Sequence, residues 1–422
     1  ATQTGFGRTG TVDWCTTAKT SPLTVESGKG YFINTTSGVV TVTLPASPSA
    51  GDIVAIMDYA NTSGTNNITV ARNSSKIDGG CICATISVDG QSYTLIYVDA
   101  TEGWKTVNNA DQQISTASFV AASGGTMTTD GDFRVHTFTS SGCFSVSSAG
   151  NPSGSNKVSY VVIGGGGGAG NWAGGGGGAG GYREGKCSSD PYTASPLAAT
   201  PCSSLPVAVQ SYPITVGAGG AGQPAGTSFP STKACAGTNS VFSTITSTGG
   251  GYGGSNDRPP NMSGGAGGSG GGASRCGSGA GGAGNTPPVS PPQGNNGGTG
   301  TENAPQGYFG GGGGGATAVG GDAPNSVGGA GGAGATSSIT GSPVARAGGG
   351  GGGTACASNT SSGGTGGGGN GGTGGGANPG TNGTANTGGG AGGAGATNPG
   401  GSSAGTGGTG GSGVVIIRYK FQ

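Results

Sequence analysis

Short stretches in which apolar and polar residues alternate recur through the first third of the chain. These stretches are residues 40–44, 53–59, 67–71, 85–88 and 93–98. The last two are separated by Asp89-Gly90, a dipeptide typical of hairpin turns. No window of similar length shows a 3.6-residue apolar period with capping residues. The pattern therefore predicts an antiparallel, sandwich-like β-module with very little α-helix.

Further strands are predicted beyond a polar segment at residues 109–130, which we interpret as a linker. Residues 133–139 and 143–146 alternate and are joined by Ser140-Ser141-Gly142, so they predict a second hairpin. Residues 158–163 and 413–421 are the two most β-prone segments of the chain. We expect these two segments to pair in one sheet, with the islands at 205–216 and 240–245 adding strands to the same core.

Glycine dominates the region between those framing strands. The chain contains 107 glycines among 422 residues, and they concentrate after about residue 155. Collagen is excluded because uninterrupted runs such as 310–315 break its three-residue frame. A bundle of polyglycine II helices, a glycine-rich β-solenoid and a disordered segment stay open as alternatives, and the first is favoured. The predicted organisation is a β-module at 1–108, the linker, and a glycine-rich domain at 131–422.

Charge and targeting signals exclude several kinds of partner. Sixteen basic residues balance sixteen acidic ones, so we expect neither nucleic-acid binding nor attraction to an acidic membrane. The sequence has no run of 18 apolar residues and no secretory signal pattern, which predicts no membrane insertion.

Candidate chemistry is sparse. No two of the nine cysteines form a CxxC motif, and His136 is the single histidine, so we expect neither a zinc site nor a catalytic triad. Cys187 and Cys202 could close a disulfide, or could be thiols in a reducing compartment. The acidic residues of the first half lie in turn-like contexts. We therefore predict a protein that is not an enzyme and needs no cofactor.

Recognition is the favoured role for the aromatic and charged islands between the glycine runs, because loops on a rigid scaffold commonly carry binding residues. Each island residue could instead cap the glycine bundle. The candidate receptor-binding residues are Trp172, Tyr182, Arg183, Asp190, Tyr192, Tyr252, Asn256, Asp257, Arg258, Tyr308 and Phe309.

Two segments carry a family resemblance. Residues 31–77, continuing to Tyr97–Ala100 and Gly103-Trp104, resemble the β-module repeated in tail fibres of marine tailed phages, particularly cyanophages. The second half is similar to the glycine-rich C-terminal domain of phage fibre and adhesin proteins. Its matching motifs are VSYVVIGGGGGAG, GGAGGYREG, SYPITVGAGGAG, STGGGYGG and GGSGVVIIRYKF. The cysteine-bearing insertion around 187–202 departs from that pattern.

The resemblance implies a viral receptor-binding protein of the tail fibre, exposed on the virion and made in the host cytoplasm. Such a protein is expected to be a homotrimer that contacts other tail-fibre or baseplate proteins. Its glycine-rich tip would bind a host surface glycan or an outer-membrane protein. The alternative is a purely structural virion or appendage component, such as a fibre shaft or decoration protein.

Overall fold

The protein is built from β-strands and glycine-rich extended segments. The computed structural model describes residues 12–107, 117–152, 154–199, 203–226, 233–255, 262–275, 279–303, 307–355, 358–397 and 403–422. These residues contain no helix, which confirms the predicted all-β class.

The chain divides into two compact units. The first contains residues 1–119 and 150–155, and the second contains residues 120–149 and 156–422. Within the segment interpreted as a linker, residues 120–123 and 126–130 form strands of the second unit.

The first unit has two sheets that enclose one apolar core. Its strands are β1 (Asp13–Lys19), β2 (Leu23–Thr24), β3 (Lys29–Ile33), β4 (Val40–Thr43), β5 (Ile53–Asp58), β6 (Ile68–Ala71), β7 (Ala84–Ile86), β8 (Ser92–Asp99) and β9 (Gly103–Thr106). The order is β1-β3-β5-β8-β9 in one sheet and β2-β4-β6-β7 in the other.

Four of the seven strand pairs in these sheets are parallel, so the predicted antiparallel direction is wrong for those pairs and correct for β5–β8, β6–β7 and β8–β9. Strands β1, β3 and β5 pair in parallel, and so do β2, β4 and β6. The chain therefore winds through three coils, each contributing one strand to each sheet. Alternation of side chains is the same for parallel and antiparallel strands, so the sequence pattern does not distinguish them.

The predicted hairpin at Asp89-Gly90 is also wrong. Strand β7 pairs with β6 in one sheet and β8 pairs with β5 in the other, so the connection crosses between the sheets. The buried Asp58 carboxylate holds this crossing by accepting the Gly90 N–H at 3.1 Å and the Ser63 N–H at 3.0 Å. These backbone hydrogen bonds lower the pKa of Asp58 despite the opposing effect of burial, which is the larger single contribution.

Among residues 12–107, the core of the coils is least buried at its first coil. Tyr31 and Ile56 in the second and third coils are buried, whereas Cys15, which occupies the same register position in the first coil, is only partly buried. Leu23 in the first coil is likewise only partly buried, whereas Val42, at the same register position in the second coil, is buried. At the opposite end the antiparallel strands β8 and β9 cover the core, and Trp104 is fully buried there.

The second unit has two larger sheets and two small ones. Its strands are β10 (Val120–Ser123), β11 (Thr126–Asp130), β12 (Phe133–Phe138), β13 (Gly142–Ala149), β14 (Lys157–Ile163), β15 (Tyr182–Gly185), β16 (Ala198–Ala199), β17 (Leu205–Pro206), β18 (Ser211–Thr215), β19 (Ser240–Phe242), β20 (Ile245–Ser247), β21 (Thr301–Asn303), β22 (Gly307–Phe309), β23 (Ala335–Ser337), β24 (Val344–Arg346), β25 (Thr354–Ala355) and β26 (Val414–Lys420). The larger sheets have the orders β10-β13-β18-β19-β20 and β11-β12-β26-β14-β15-β16, and β17 also pairs with β14. The small sheets are β21-β22-β25 and β23-β24.

The two framing strands pair as predicted. Strand β14 is antiparallel to β26, with Ser159 opposite Arg418 and Ile163 opposite Val414. The islands predicted to join this core do so, because Tyr212, Ile214 and Phe242 pack in the cluster that also contains residues of β14 and β26. The sequence therefore predicted how the glycine-rich region is closed.

The predicted hairpin between residues 133–139 and 143–146 does not form. Strand β12 pairs with β11 and β26, whereas β13 pairs with β10 and β18 in the other large sheet. Phe138 and Phe144 are both buried in the apolar cluster shared by these sheets. The chain therefore crosses between the two sheets at Ser140–Gly142, and each strand buries one aromatic side chain in the core that the sheets share.

The single histidine is a buried structural residue of β12. His136 Nδ1 lies 2.7 Å from the Gly124 carbonyl oxygen and Nε2 lies 3.0 Å from the Tyr419 hydroxyl oxygen. Its ring also stacks on the Tyr419 ring. Burial, aided by the nearby Arg134 charge, lowers the pKa of His136, and the Gly124 contact opposes that effect.

The glycine runs form extended rods whose hydrogen bonds repeat every third residue. In the rod at 164–170, consecutive N–H groups donate to three different rods and every third N–H returns to the same one. The donor–acceptor pairs are Gly165–Thr238 and Gly168–Cys235, Gly166–Gly411 and Ala169–Gly408, and Gly167–Gly178 and Gly170–Gly175. A three-residue helix without internal hydrogen bonds has this property. The rods therefore pack as polyglycine II helices.

These rods are arranged in a hexagonal lattice. The central rod, residues 174–181, exchanges backbone hydrogen bonds with six others. These six form an inner ring at residues 164–170, 249–254, 268–274, 310–316, 347–353 and 388–396. An outer ring surrounds them at residues 217–223, 233–239, 262–267, 279–285, 294–300, 318–323, 328–334, 361–365, 367–373, 378–384 and 404–413. In the described residues, one outer position, between rods 233–239 and 262–267, has no rod.

Glycine is required in this lattice because the rods touch through their backbones. A Cβ atom on Gly177 would overlap the carbonyl oxygen of Gly167, and one on Gly313 would overlap that of Gly177. Side chains are accommodated where a rod faces solvent, so rod 404–413 exposes Thr406 and Thr409 at a spacing of three residues. The alternation of glycine pairs with Thr, Ala or Ser in the sequence follows from this geometry.

We predict that Gly177→Ala destabilises the second unit by about 3 kcal/mol, because the new methyl group overpacks the backbone lattice. Thr409→Ala, on a solvent-facing position, is expected to stay within ~0.5 kcal/mol of the parent protein. Chemical denaturation monitored by circular dichroism gives the free energy of unfolding of the two variants. If Gly177→Ala were as stable as the parent protein, the close backbone packing of the rods at this position would be contradicted.

We also predict that the second unit loses stability as the pH falls below about 6.5, the ordinary pKa of histidine. The pKa of His136 is lower in the folded protein, so the unfolded chain takes up the proton first. The free energy of unfolding should then decrease by at most ~1.4 kcal/mol per pH unit until the folded-state pKa is reached. Melting temperatures of the parent and of His136→Gln between pH 7.5 and 5 test this, and the variant should show a smaller slope.

Candidate recognition site at the loop end of the glycine bundle

The bundle has two chemically different ends. At the strand end, rods 164–170 and 174–181 continue into β14 and β15. At the loop end the same two rods are joined by the tight turn 171–173. Each rod spans roughly 20 Å at about 3.1 Å per residue, so side chains at the two ends belong to separate sites.

The centre of the loop end is formed where inner-ring rods terminate above the central rod. Trp172 precedes the central rod, Arg275 follows rod 268–274, and Tyr308 lies just before rod 310–316. All three side chains are partly exposed. We name Trp172, Arg275 and Tyr308 the central cluster.

Aromatic and cationic groups contact one another in the central cluster. The rings of Trp172 and Tyr308 are 6.4 Å apart between centroids and are tilted by 39°. The Arg275 guanidinium carbon lies 4.4 Å from the Tyr308 ring centroid, which is a cation–π contact. Buried Ala173, Ala355 and Ala396 form the floor beneath the rings. The cluster therefore presents aromatic surface and a positive charge on a rigid base.

The turn that carries Trp172 has an unusual backbone. Trp172 and Ala173 have φ angles of 58° and 50°, in the left-handed region that bulky residues rarely adopt. Asn171 fixes the turn, because its N–H donates to Gln223 Oε1 at 3.2 Å and its Nδ2 donates to the Pro224 carbonyl at 3.0 Å. The neighbouring rod thus holds the indole in place.

Two other predicted residues near this end have packing roles. Phe309 is buried at the end of β22, where it pairs with Thr301 of β21 and Thr354 of β25. Tyr252 projects from rod 249–254 and its ring packs on Gly265, where a Cβ atom would collide with it. The Tyr252 ring therefore occupies the side of the lattice at which the outer position has no rod. Asn256, Asp257 and Arg258 lie outside the described residues.

The remaining predicted residues lie at the strand end and are mostly interior. Tyr182, Asp190 and Tyr192 are buried, and Arg183 is partly exposed. The Tyr182 hydroxyl donates to Glu184 Oε2 at 3.0 Å, and the Glu184 carboxylate also accepts the Ser337 hydroxyl at 2.7 Å. Burial raises the pKa of both tyrosines, with the nearby Glu184 charge adding to it. These contacts give the three buried residues a structural function.

A buried ion pair accompanies that network. Arg418 Nε donates to Asp190 Oδ1 at 2.8 Å, and Arg418 Nη1 donates to Asp130 Oδ2 at 2.7 Å. The Arg418 and Asp190 side chains are 2% and 1% exposed, whereas Asp130 is 46% exposed. Ser159 Oγ donates to the second Asp190 oxygen at 2.9 Å. The ion pair connects β26 to the segment 187–199.

Cys187 carries a free thiol, and Cys202, its suggested disulfide partner, lies outside the described residues. Burial raises the pKa of this thiol, which keeps it protonated and unreactive at neutral pH. In the described parts of the chain, no group of three or more His, Cys, Asp or Glu side chains is placed to hold a metal ion. No helix among those residues is long and apolar enough to span a membrane.

Sequence reasoning missed Arg275 and Glu302, which flank Tyr308. Glu302 in β21 is directly opposite Tyr308 in β22, and its side chain is exposed. Each is a single charged residue between glycine runs, in the same kind of island as those chosen. The island pattern could have included them, but only the lattice shows that they lie at its centre.

The family comparison covers the bundle and the strands that close it. The model of a family described as glycine-rich domain matches residues 139–420, which is two thirds of the chain. The chain belongs to this glycine-rich domain family. The match begins at the end of β12 and ends in β26, so the glycine-rich domain coincides closely with the second unit. No curated protein matches the sequence.

We predict that Asp190→Asn lowers the free energy of unfolding of the glycine-rich domain by about 3 kcal/mol, because the buried Arg418 loses its buried counter-charge. Asp130→Asn removes the exposed partner of the same arginine and should cost less than ~1 kcal/mol. Denaturant titrations of both variants provide the comparison. Equal effects would show that burial does not decide the strength of these pairs.

Proposed function

We propose that this protein is a viral tail-fibre adhesin that attaches the particle to a receptor on the host-cell surface without enzymatic action. The observation that supports the proposal best is the central cluster, a partly exposed aromatic and cationic group above the centre of a rigid lattice. Aromatic and arginine side chains are enriched where proteins bind their partners tightly. The resemblance of both halves to phage fibre modules supports the same function.

The distribution of side-chain chemistry over the bundle favours contact through the loop end. The solvent-facing positions of the outer rods carry small and mostly neutral side chains. They include Ala218, Ala221, Ala280, Ala283, Asn296, Thr299, Val319, Asp322, Ala330, Thr365, Asn370, Thr381, Thr384, Thr406 and Thr409. Asp322 Oδ1 accepts hydrogen bonds from the N–H and the hydroxyl group of Thr299, both at 2.7 Å. Larger recognition groups such as Trp172, Arg275 and Tyr308 are placed at the end instead.

A rigid scaffold also makes recognition at its end efficient. Backbone hydrogen bonds to several neighbours fix each inner rod, so the residues that follow the rods are positioned before a partner arrives. Pre-positioned side chains lose less conformational entropy on binding. We further propose that the protein acts as a homotrimer on the virion, next to other tail-fibre or baseplate proteins.

The purely structural alternative is supported by a separate observation. The first coil of the first unit leaves Cys15 and Leu23 half-buried, and Trp14 is 38% exposed on the same edge strand, β1. In the described part of the first unit β1 pairs only with β3, and exposed apolar groups on such an edge strand favour association with further β-structure. A shaft or decoration component would use this surface and would need no receptor.

We predict saturable binding of the fluorescently labelled full chain to a subset of strains in a panel of marine bacteria. Trp172→Ala combined with Arg275→Ala should reduce cell binding at least tenfold. Thr406→Lys with Thr409→Lys, on a lateral face of the bundle, should leave it within twofold of the parent. Cell-associated fluorescence measured by flow cytometry, with oligomeric mass determined on the same samples, tests this expectation.

The absence of binding to every strain by a folded oligomer would contradict the adhesin proposal and favour the structural alternative. If the lateral-face variant lost as much cell binding as the variant of the central cluster, the assignment of receptor binding to the loop end would be contradicted.

A further inference from the structure

We infer that the central cluster, together with Glu302, is a subsite for a neutral sugar residue of a surface glycan. The inference rests on the proposed function, because it names the chemical class of the receptor that the loop end binds. It assigns Trp172 to stacking on the sugar ring, and Arg275 and Glu302 to hydrogen bonding with its hydroxyl groups.

The first support is the arrangement of the two rings. Trp172 and Tyr308 meet at 39° with centroids 6.4 Å apart, so they form an open angle and not a closed stack. The Arg275 guanidinium covers one side of Tyr308 at 4.4 Å, which leaves the partly exposed Trp172 as the larger apolar surface. The C–H groups of a pyranose ring pack well on such a surface, because an indole combines a large apolar area with little rotational freedom.

The second support is an unsatisfied donor. Arg275 Nε is buried, and among the described residues it has no hydrogen-bond acceptor. Buried donors are normally paired, because a donor removed from water without a new acceptor destabilises the folded protein. The planar guanidinium is held on the Tyr308 ring, so its remaining N–H groups point along the plane of the group. Nε itself is buried, but the Arg275 side chain is partly exposed, so a ligand oxygen beside the cluster would meet its remaining N–H donors in a direction that is already fixed.

The third support is the presence of both charge signs around Tyr308. Glu302 lies directly opposite Tyr308 across the β21–β22 pair, so the two side chains share one face of this small sheet. None of the ion pairs among the described residues involves Glu302 or Arg275. Sugar hydroxyls both donate and accept hydrogen bonds, so they match one carboxylate and one guanidinium at the same time. A phosphate or carboxylate ligand would be repelled by Glu302.

The fourth support is the strained backbone under the stacking residue. Left-handed φ angles at Trp172 and Ala173 are energetically unfavourable, and such strain is retained mostly where it positions a functional group. Asn171, Gln223 and Pro224 hold this conformation through the contacts described above. A glycine or asparagine would fit the turn at lower cost, so the large side chain at this position indicates a use for it.

The direct test uses a printed array of bacterial surface glycans, followed by titration of the best neutral oligosaccharide with the full chain. We expect a change in tryptophan fluorescence on binding that disappears in Trp172→Phe, since the other two tryptophans, Trp14 and Trp104, belong to the first unit and not to the glycine bundle. Trp172→Ala and Arg275→Ala should weaken binding at least tenfold, and Arg275→Lys should be intermediate because it keeps the charge but loses the planar group. Thr409→Ala serves as the matched control and should bind within twofold of the parent.

Cell binding separates this inference from the proposed function. Periodate oxidation of the host cells should abolish adsorption, and protease treatment of the same cells should leave it unchanged. Loss after protease but not after periodate would overturn the glycan inference while leaving the adhesin proposal intact, because the receptor would be a protein. No adsorption to untreated cells would overturn both. Glycan binding that persists unchanged in Trp172→Ala would overturn the assignment of the subsite.

Discussion

Direct hydrogen bonding between backbones that carry no side chains is the interaction on which the rest of the structure depends. In a usual domain, apolar side chains fill the space between elements. In the glycine bundle the rods lie too close together for side chains between them. A Cβ atom at Gly167, Gly177 or Gly313 would overlap a carbonyl oxygen of the next rod. Ordering glycine is entropically expensive, by up to about 1 kcal/mol per residue more than alanine. The lattice offsets this cost because inner rods use their N–H and C=O groups in several directions at once.

The lattice places two different demands on the sequence. Along most of each rod it requires glycine. Small residues occupy solvent-facing positions at a spacing of three residues, and a few, such as Ala179 and Ala391, are buried where the lattice leaves room for a methyl group. At the rod ends it requires closure, which the paired strands β14 and β26 supply through a conventional apolar core. The ion pair of Arg418 with Asp190 and the contact of His136 with Tyr419 attach further segments to that same strand β26. The bundle is therefore held by backbone contacts inside and by side-chain contacts at its strand end.

The sequence predicted the class of structure well, because its strongest signals are local. Alternation located β4, β5 and β6, and the glycine runs indicated polyglycine II packing. Strand partners were harder to predict. Alternation is the same in parallel and antiparallel strands, and a turn such as Asp89-Gly90 or Ser140–Gly142 can connect two sheets as readily as two neighbours. Among the candidate site residues, composition could not distinguish Trp172 and Tyr308, which are partly exposed, from Tyr182 and Tyr192, which are buried. Trp172 and Tyr308 lie at the loop end of the bundle, whereas Tyr182 and Tyr192 lie at the strand end. Only the arrangement of the rods in space determines at which end a residue lies.

Strand β26 also has a consequence for biosynthesis. It lies between β12 and β14 in the sheet. These two earlier strands therefore both lack a partner on that side until residues 414–420 have left the ribosome. Most of the bundle must therefore be translated before its sheet can be completed. Contacts between residues so distant in sequence form slowly, and until then the apolar faces of β12 and β14 are open to other nascent chains. Co-translational chaperoning, or assembly with copies made on the same messenger, would protect those faces during the delay.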